Sequence, residues 1–240
     1  MLHALLGIML SVLALPVPDG GAPPRPLAGR VVVLDPGHQL GNRNFPSRVN
    51  APVPDGRGGR KACNTTGTAT DGGYPEATFA WQTTRALRAR LERLGATVRL
   101  TRQANSPRRW GPCVDVRGRA GNRAQADLMI SVHADGSYAP GARGFHVAYA
   151  PDRGRAQLRL ARITRTALRE HRIPVSTYVG GGSGLSARTD LATLNFSRVP
   201  TVLVELGNMR DRQDAHRMTS ARGRAAYAAA LTSAVLRYVG

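Results

Sequence analysis

Val31-Val32-Val33-Leu34-Asp35-Pro36-Gly37-His38 is an apolar run that breaks at an Asp-Pro-Gly turn and presents a histidine. Four consecutive branched apolar residues read as a strand buried on both faces, and Pro36 with Gly37 cannot continue it. His38 therefore stands at the carboxyl end of a central strand. Ligands of open α/β sheets bind at that edge, so groups from other strand ends can join His38 in one site.

Two further runs repeat the theme. Leu128-Met129-Ile130-Ser131-Val132 ends in His133, and Pro200-Thr201-Val202-Leu203-Val204 ends in Glu205. Between the first two, Pro75 suits a first helical position, Glu76 falls in the first turn, and Ala77, Ala80, Trp81, Thr84, Leu87, Leu91 and Leu94 keep helical spacing up to Gly95. Strands are also expected at 96–101 and 144–150, and a short helix from Asp115 to about position 125. Asp152 is expected to cap a helix carrying Leu160, Ile163, Thr164, Ala167 and Leu168 on one face. A strand or extended piece at 185–195 contains Arg188, and Tyr227, Leu231, Val235 and Tyr238 line one side of a closing helix. This alternation predicts an α/β fold: a single domain over 30–240, with a mostly parallel central sheet flanked by helices on both faces.

The 240 residues suffice for one well-buried domain, and 42% hydrophobic against 20% charged residues is a globular balance. A net charge of +19 favours anionic surroundings, whether nucleic acid, acidic lipid or an anionic cell envelope. Lys61 is the sole lysine, so the excess is arginine. It is dispersed rather than clustered, and aromatics are only 5%, which speaks against a nucleic-acid partner.

Residues 2–15 form a short apolar segment ending at Pro16 and Pro18, the length of a signal-peptide core and short for a bilayer span. We expect a signal peptide over 1–22, a linker over 23–29, and an exported protein of the cell envelope, periplasm or extracellular space with no integral membrane contact in its mature form. An uncleaved anchor is the alternative. Cys63 and Cys113, the only two cysteines, are expected to form one disulfide in such a compartment; neither has a second Cys or His at zinc spacing. Segment 39–73, rich in Gly, Pro, Asn and Thr, reads as an irregular surface excursion, either a substrate lid or a decorative insertion.

His38, His133, Glu205 and Glu76 can bind metal or move protons. Two histidines and a carboxylate with an open fourth position form a catalytic zinc set, and a buried carboxylate after Val202-Leu203-Val204 calls for a metal, a partner or a role as general base. Each residue also has an ordinary reading. His38 alone is a turn histidine, Glu76 suits the helix dipole, Asp35 is a turn residue or an orienting partner of His38, and Asp135 caps a loop. His146 and His171 read as structural or solvated, Arg188 as a sheet-surface charge, Trp81 as a packing residue, and Trp110, in the loop before Cys113, as either a packing residue or a sugar platform.

Asp35-Pro36-Gly37-His38, Glu76 at a helix start, Ser131-Val132-His133-Ala134-Asp135 and Val204-Glu205-Leu206-Gly207-Asn208, in that order, resemble the motifs of the zinc-dependent N-acetylmuramoyl-L-alanine amidases of bacterial cell walls. The resemblance runs from about Arg30 to the carboxyl end. It implies zinc held by His38, Glu76 and His133, with Glu205 as catalytic base, hydrolysing the amide between N-acetylmuramic acid and L-alanine. Arg188 is a further catalytic candidate, for the substrate or the developing oxyanion. The partner implied is peptidoglycan or a muropeptide, met by a monomer. The sequence departs from the family at Gln39-Leu40-Gly41, in the length of segment 39–73, at Asp135 and in lacking a lysine after Glu76. Other readings are a catalytically silent wall-binding or polyanion-binding module, and a different zinc hydrolase such as a peptidase or polysaccharide deacetylase.

Overall fold

The computed structural model describes residues 25–239, so the expected signal segment 1–22 lies outside the described residues. The strands are β1 (Val31–Pro36), β2 (Pro52–Pro54), β3 (Arg60–Ala62), β4 (Thr97–Leu100), β5 (Leu128–Asp135), β6 (His146–Tyr149), β7 (Leu185–Ala187) and β8 (Thr201–Asn208). The helices are α1 (Pro46–Val49), α2 (Glu76–Arg93), α3 (Val114–Gly118), α4 (Ala120–Arg123), α5 (Arg155–Glu170), α6 (Ala192–Asn195), α7 (Arg212–Thr219) and α8 (Ala221–Val239). The three apolar runs are β1, β5 and β8, whose near-continuous burial explains why they carry no alternation.

Six strands form one sheet in the order β4-β1-β5-β8-β6-β7. Every neighbouring pair is parallel except β6 and β8, which run antiparallel. Val32, Leu34, Leu128, Ile130, Val202 and Val204 face a large core closed by Phe79 and Leu87 of α2, Leu160 and Leu168 of α5, and Tyr227 and Leu231 of α8. On the opposite face Val33 and Met129 pack with Ala120 and Ala124, and Leu203 with Leu194. Helices thus cover both faces, long ones on one side and short ones on the other.

Four expectations are corrected locally. The helix expected from 115 to 125 is broken into α3 and α4. Asp152 does not cap α5: the chain turns into that helix through Gly154 at φ +90°, a conformation open to glycine, and the Asp152 carboxylate instead accepts from Arg57 Nη2 at 2.7 Å. Piece 185–195 is a three-residue strand followed by α6. Within the expected linker, Leu27 is fully buried in the core and its N–H donates to Leu94 O at 2.9 Å.

Segment 39–73 is not irregular throughout. It holds α1 and an antiparallel hairpin of β2 and β3, and it buries polar side chains. Asn42 Nδ2 donates to Thr65 O at 2.6 Å, Asn42 Oδ1 accepts from Gly111 N at 2.8 Å, and Asn64 Nδ2 donates to Pro112 O at 2.8 Å. These amides replace the ladder bonds that a sheet would supply. Cys63 and Cys113 are joined in a disulfide across 50 positions, tying the segment to loop 103–113. Chain-entropy reasoning gives such a loop about 4 kcal/mol. The double variant Cys63→Ser/Cys113→Ser is expected to lose about that much in urea denaturation under non-reducing conditions; an unchanged midpoint would show that the bridge contributes nothing.

Among the described residues no helix is long and apolar enough to cross a membrane.

Candidate metal centre

Strand order brings the chemistry together. β1, β5 and β8 are neighbours, so His38 just beyond β1, His133 in β5 and Glu205 in β8 arrive at one edge, with His133 and Glu205 in register. Glu76, the first residue of α2, reaches in from the helical layer. Its Oε1 lies 3.1 Å from His38 Nε2 and 2.9 Å from His133 Nδ1, and the ligand atoms of all three fall within 4.8 Å of one another. The two rings meet edge to face, with centroids 4.8 Å apart.

The carboxylate and the first imidazole are both held from behind. Glu76 Oε1 also accepts from Ala134 N at 3.1 Å, and Oε2 accepts from Thr68 N at 3.0 Å. His38 Nδ1 lies 3.0 Å from Thr65 O, which fixes Nδ1 as the protonated nitrogen and leaves Nε2 free as a ligand. Gly37 has no room for a side chain, because a Cβ there would sit 2.4 Å from His133 Cε1.

The turn that presents His38 is clamped by two buried arginines that the sequence reading had left among the dispersed surplus. His38 has φ +53°, an uncommon conformation for a residue other than glycine, so its surroundings must impose it. Arg117 donates to Pro36 O at 2.8 Å and His38 O at 2.7 Å; Arg102 donates to Pro36 O at 3.0 Å, Gly37 O at 3.2 Å and Ala77 O at 2.8 Å. Asp35 is fully buried and balances this charge: its carboxylate meets Arg117 Nη1 at 2.5 Å, Ser131 Oγ at 2.6 Å and the Thr101 hydroxyl. Asp35 thus serves the turn's clamp, not the His38 ring. The Thr101-Arg102 pair closing β4 was the one sequence signal for it, and it was too short to read.

The electrostatics follow from the same packing. Burial would push the Glu76 carboxyl up, but His38 and His133 overcome it and hold the group well below the usual carboxylate range. Burial pulls the His38 imidazole down, and Glu76 more than offsets that, leaving it above its ordinary value. Glu205 goes the other way. Burial pushes its carboxyl well above 4.5, and the charges of Glu76 and Asp135 add to the rise against Arg188. A divalent cation held by the three donors acts against that rise. Glu205 Oε2 is buried with no hydrogen-bond partner among the described residues.

Two imidazole nitrogens and a carboxylate oxygen, clustered and backed by Thr65, Thr68 and Ala134, are a donor set that fits zinc with an open position. They line a cavity of about 360 Å³ together with Glu205, Asp135, Thr68 and Lys61, whose Nζ donates to Asp190 O at 2.7 Å. Arg188 is not on that lining. Its Nε and Nη2 donate to Asp190, at 2.7 and 2.6 Å, and its charge acts on Glu205. Asp135 does not merely cap a loop, for its Oδ2 accepts from Tyr178 OH at 2.8 Å.

Comparison with known proteins gives one consistent result. Residues 32–237 match the family described as N-acetylmuramoyl-L-alanine amidase. An N-acetylmuramoyl-L-alanine amidase of Mycobacterium tuberculosis is 41% identical, over 98% of this chain and 97% of that protein. Among solved structures, the amidase Ami1 from Mycobacterium abscessus superposes with a TM-score of 0.84 at 46% identity, covering 89% of this chain and all of that one. Ami1 from Mycobacterium smegmatis gives 0.84 at 40% identity, covering 89% of this chain and 98% of its own.

Proposed function

Because the chain belongs to the N-acetylmuramoyl-L-alanine amidase family, we propose that it hydrolyses the amide joining the lactyl group of N-acetylmuramic acid to L-alanine in peptidoglycan, using zinc held by His38, Glu76 and His133. The observation that carries this reading is the convergence of those three side chains within 4.8 Å, in a cavity that Glu205 also lines. When bound, the ion supplies Lewis acidity, which polarises a carbonyl and makes water acidic enough to attack near neutral pH. Glu205 takes the proton of the attacking water on its carboxylate and returns it to the leaving amine nitrogen. His38 would bind through Nε2, its tautomer set by the Nδ1–H that donates to Thr65 O, and His133 would give the second imidazole nitrogen. Glu76 keeps the negative charge that the cavity needs to hold a cation. Arg188, with Nε and Nη2 bonded to Asp190, contributes a fixed positive charge near Glu205.

The Cys63–Cys113 bridge and the charge of +19 support an exported protein working in an anionic envelope, with 1–22 as its signal. Purified protein is expected to carry about one zinc per chain and to release intact stem peptides from muropeptides, read by mass spectrometry. Chelation is expected to stop release and added zinc to restore it. Cleavage inside the stem peptide, loss of acetyl groups, or no product from the zinc-loaded protein would each overturn the proposal.

A further inference from the structure

β6 is the one strand that meets its neighbour β8 antiparallel, and this has a chemical result. Parallel strands bring their last residues to the site, but β6 brings its first, so His146 lies directly in register with Glu205. Glu205 is therefore flanked across the sheet by His133 on one side and His146 on the other. Residues directly opposite in a ladder share a face, with Cβ atoms about 4.5–5.5 Å apart, within the span of a bond between imidazole and carboxylate. His146 is 2% exposed, and its Nδ1 is buried without a partner among the described residues. Glu205 Oε2 is in the same condition. Two polar atoms, each without a partner and not bonded to each other in this structure, thus belong to residues that stand opposite in register.

We infer that His146 is a positioning residue for Glu205, its Nδ1–H donating to Glu205 Oε2 so that the other carboxylate oxygen is held ready for the proton. This rests on Glu205 acting as the base. The surrounding groups fit a neutral donor. Burial pulls the His146 imidazole down, Asp135 opposes and Arg188 assists, so the ring is uncharged at neutral pH. Glu205 faces Glu76, Asp135 and Arg188, none of which bonds Oε2. Tyr178 packs edge to face on the His146 ring at 6.4 Å while its hydroxyl is committed to Asp135. The ring thus packs on Tyr178 at a position opposite Glu205 in the sheet, with its Nδ1 buried and unpaired.

The test separates a donor from a packing residue. Asn in place of His146 puts an N–H close to where Nδ1 stood, whereas Leu fills the space without one. His146→Asn is expected to keep kcat within about tenfold of the wild type, and His146→Leu to lower it by about 100-fold, with KM and bound zinc unchanged in both. Nitrogen-15 NMR of the zinc-loaded wild type, without substrate, is expected to show His146 protonated at Nδ1. Equal kcat for the two variants, or a ring protonated only at Nε2, overturns the inference. The NMR arm needs neither substrate nor variant, so it decides the matter even where the wild type releases no stem peptide, a failure that belongs to the amidase reading.

Discussion

Glu205→Gln is expected to lose about 100-fold to 10,000-fold in kcat, the range that a positioned proton-transfer group supplies, while zinc content stays at the wild-type level. Glutamine matches the shape of the side chain, so the cavity keeps its form and only the proton acceptor goes. Stability is expected to move the opposite way from activity. The folded-state pKa of Glu205 lies above its unfolded value, so the folded protein binds that proton more tightly. Ionising the group then costs stability as pH rises past the ordinary value of 4.5. Metal-free Glu205→Gln is therefore expected to melt at or above the metal-free wild type at pH 7–8, with the gap closing toward pH 4. Loss of bound zinc in this variant would mean that Glu205 is a ligand, and retained turnover would mean that the base lies elsewhere.

Arg117→Met is expected to cost about 3–5 kcal/mol, because it strands the Asp35 carboxylate in a dry interior and removes the donors to Pro36 O and His38 O. For a domain of this size the fall in Tm is on the order of 10 °C. The pH dependence has a definite sign. Burial would push the Asp35 carboxyl up, but Arg117, Ser131 and Thr101 hold it below 3.8. Its stabilising contribution is present above that ordinary value and is lost as pH falls through the depressed one. Without Arg117, burial prevails and the carboxyl takes up a proton more readily, so the deficit of the variant is expected to shrink as pH drops from 7 to 4. Differential scanning calorimetry across that range checks both points. A variant melting within 2 °C of the wild type at pH 7 would remove Arg117 from the account of how His38 is held.

The metal set was legible because parallel, doubly covered strands write themselves as unbroken apolar runs, and His38, His133 and Glu205 each follow one. Glu76 was visible as a first-turn acid. What was hidden depended on partners far away in the chain. Arg102 and Arg117 look like any other arginines until Asp35 and the turn carbonyls are beside them. Asn42 and Asn64 look like loop residues until loop 103–113 folds over them. His146 reads as structural or solvated because it opens a strand, and only the reversed direction of β6 makes a strand's beginning equivalent to the others' ends. Asp152 was misassigned since nothing local says that Gly154, and not an aspartate, will turn the chain into α5. Local pattern thus told which strands are central; long-range pairing alone told how their ends are tied.

The three donors come from a turn, a helix start and a strand that only the assembled sheet makes neighbours, and no short stretch of the chain contains two of them. A fragment, or a chain still emerging from the ribosome before β5 is made, therefore has no chelating geometry with which to capture an ion. Uptake of the ion therefore waits on the assembled sheet, and an ion at 100 times its dissociation constant would deepen the native basin by about 2.7 kcal/mol.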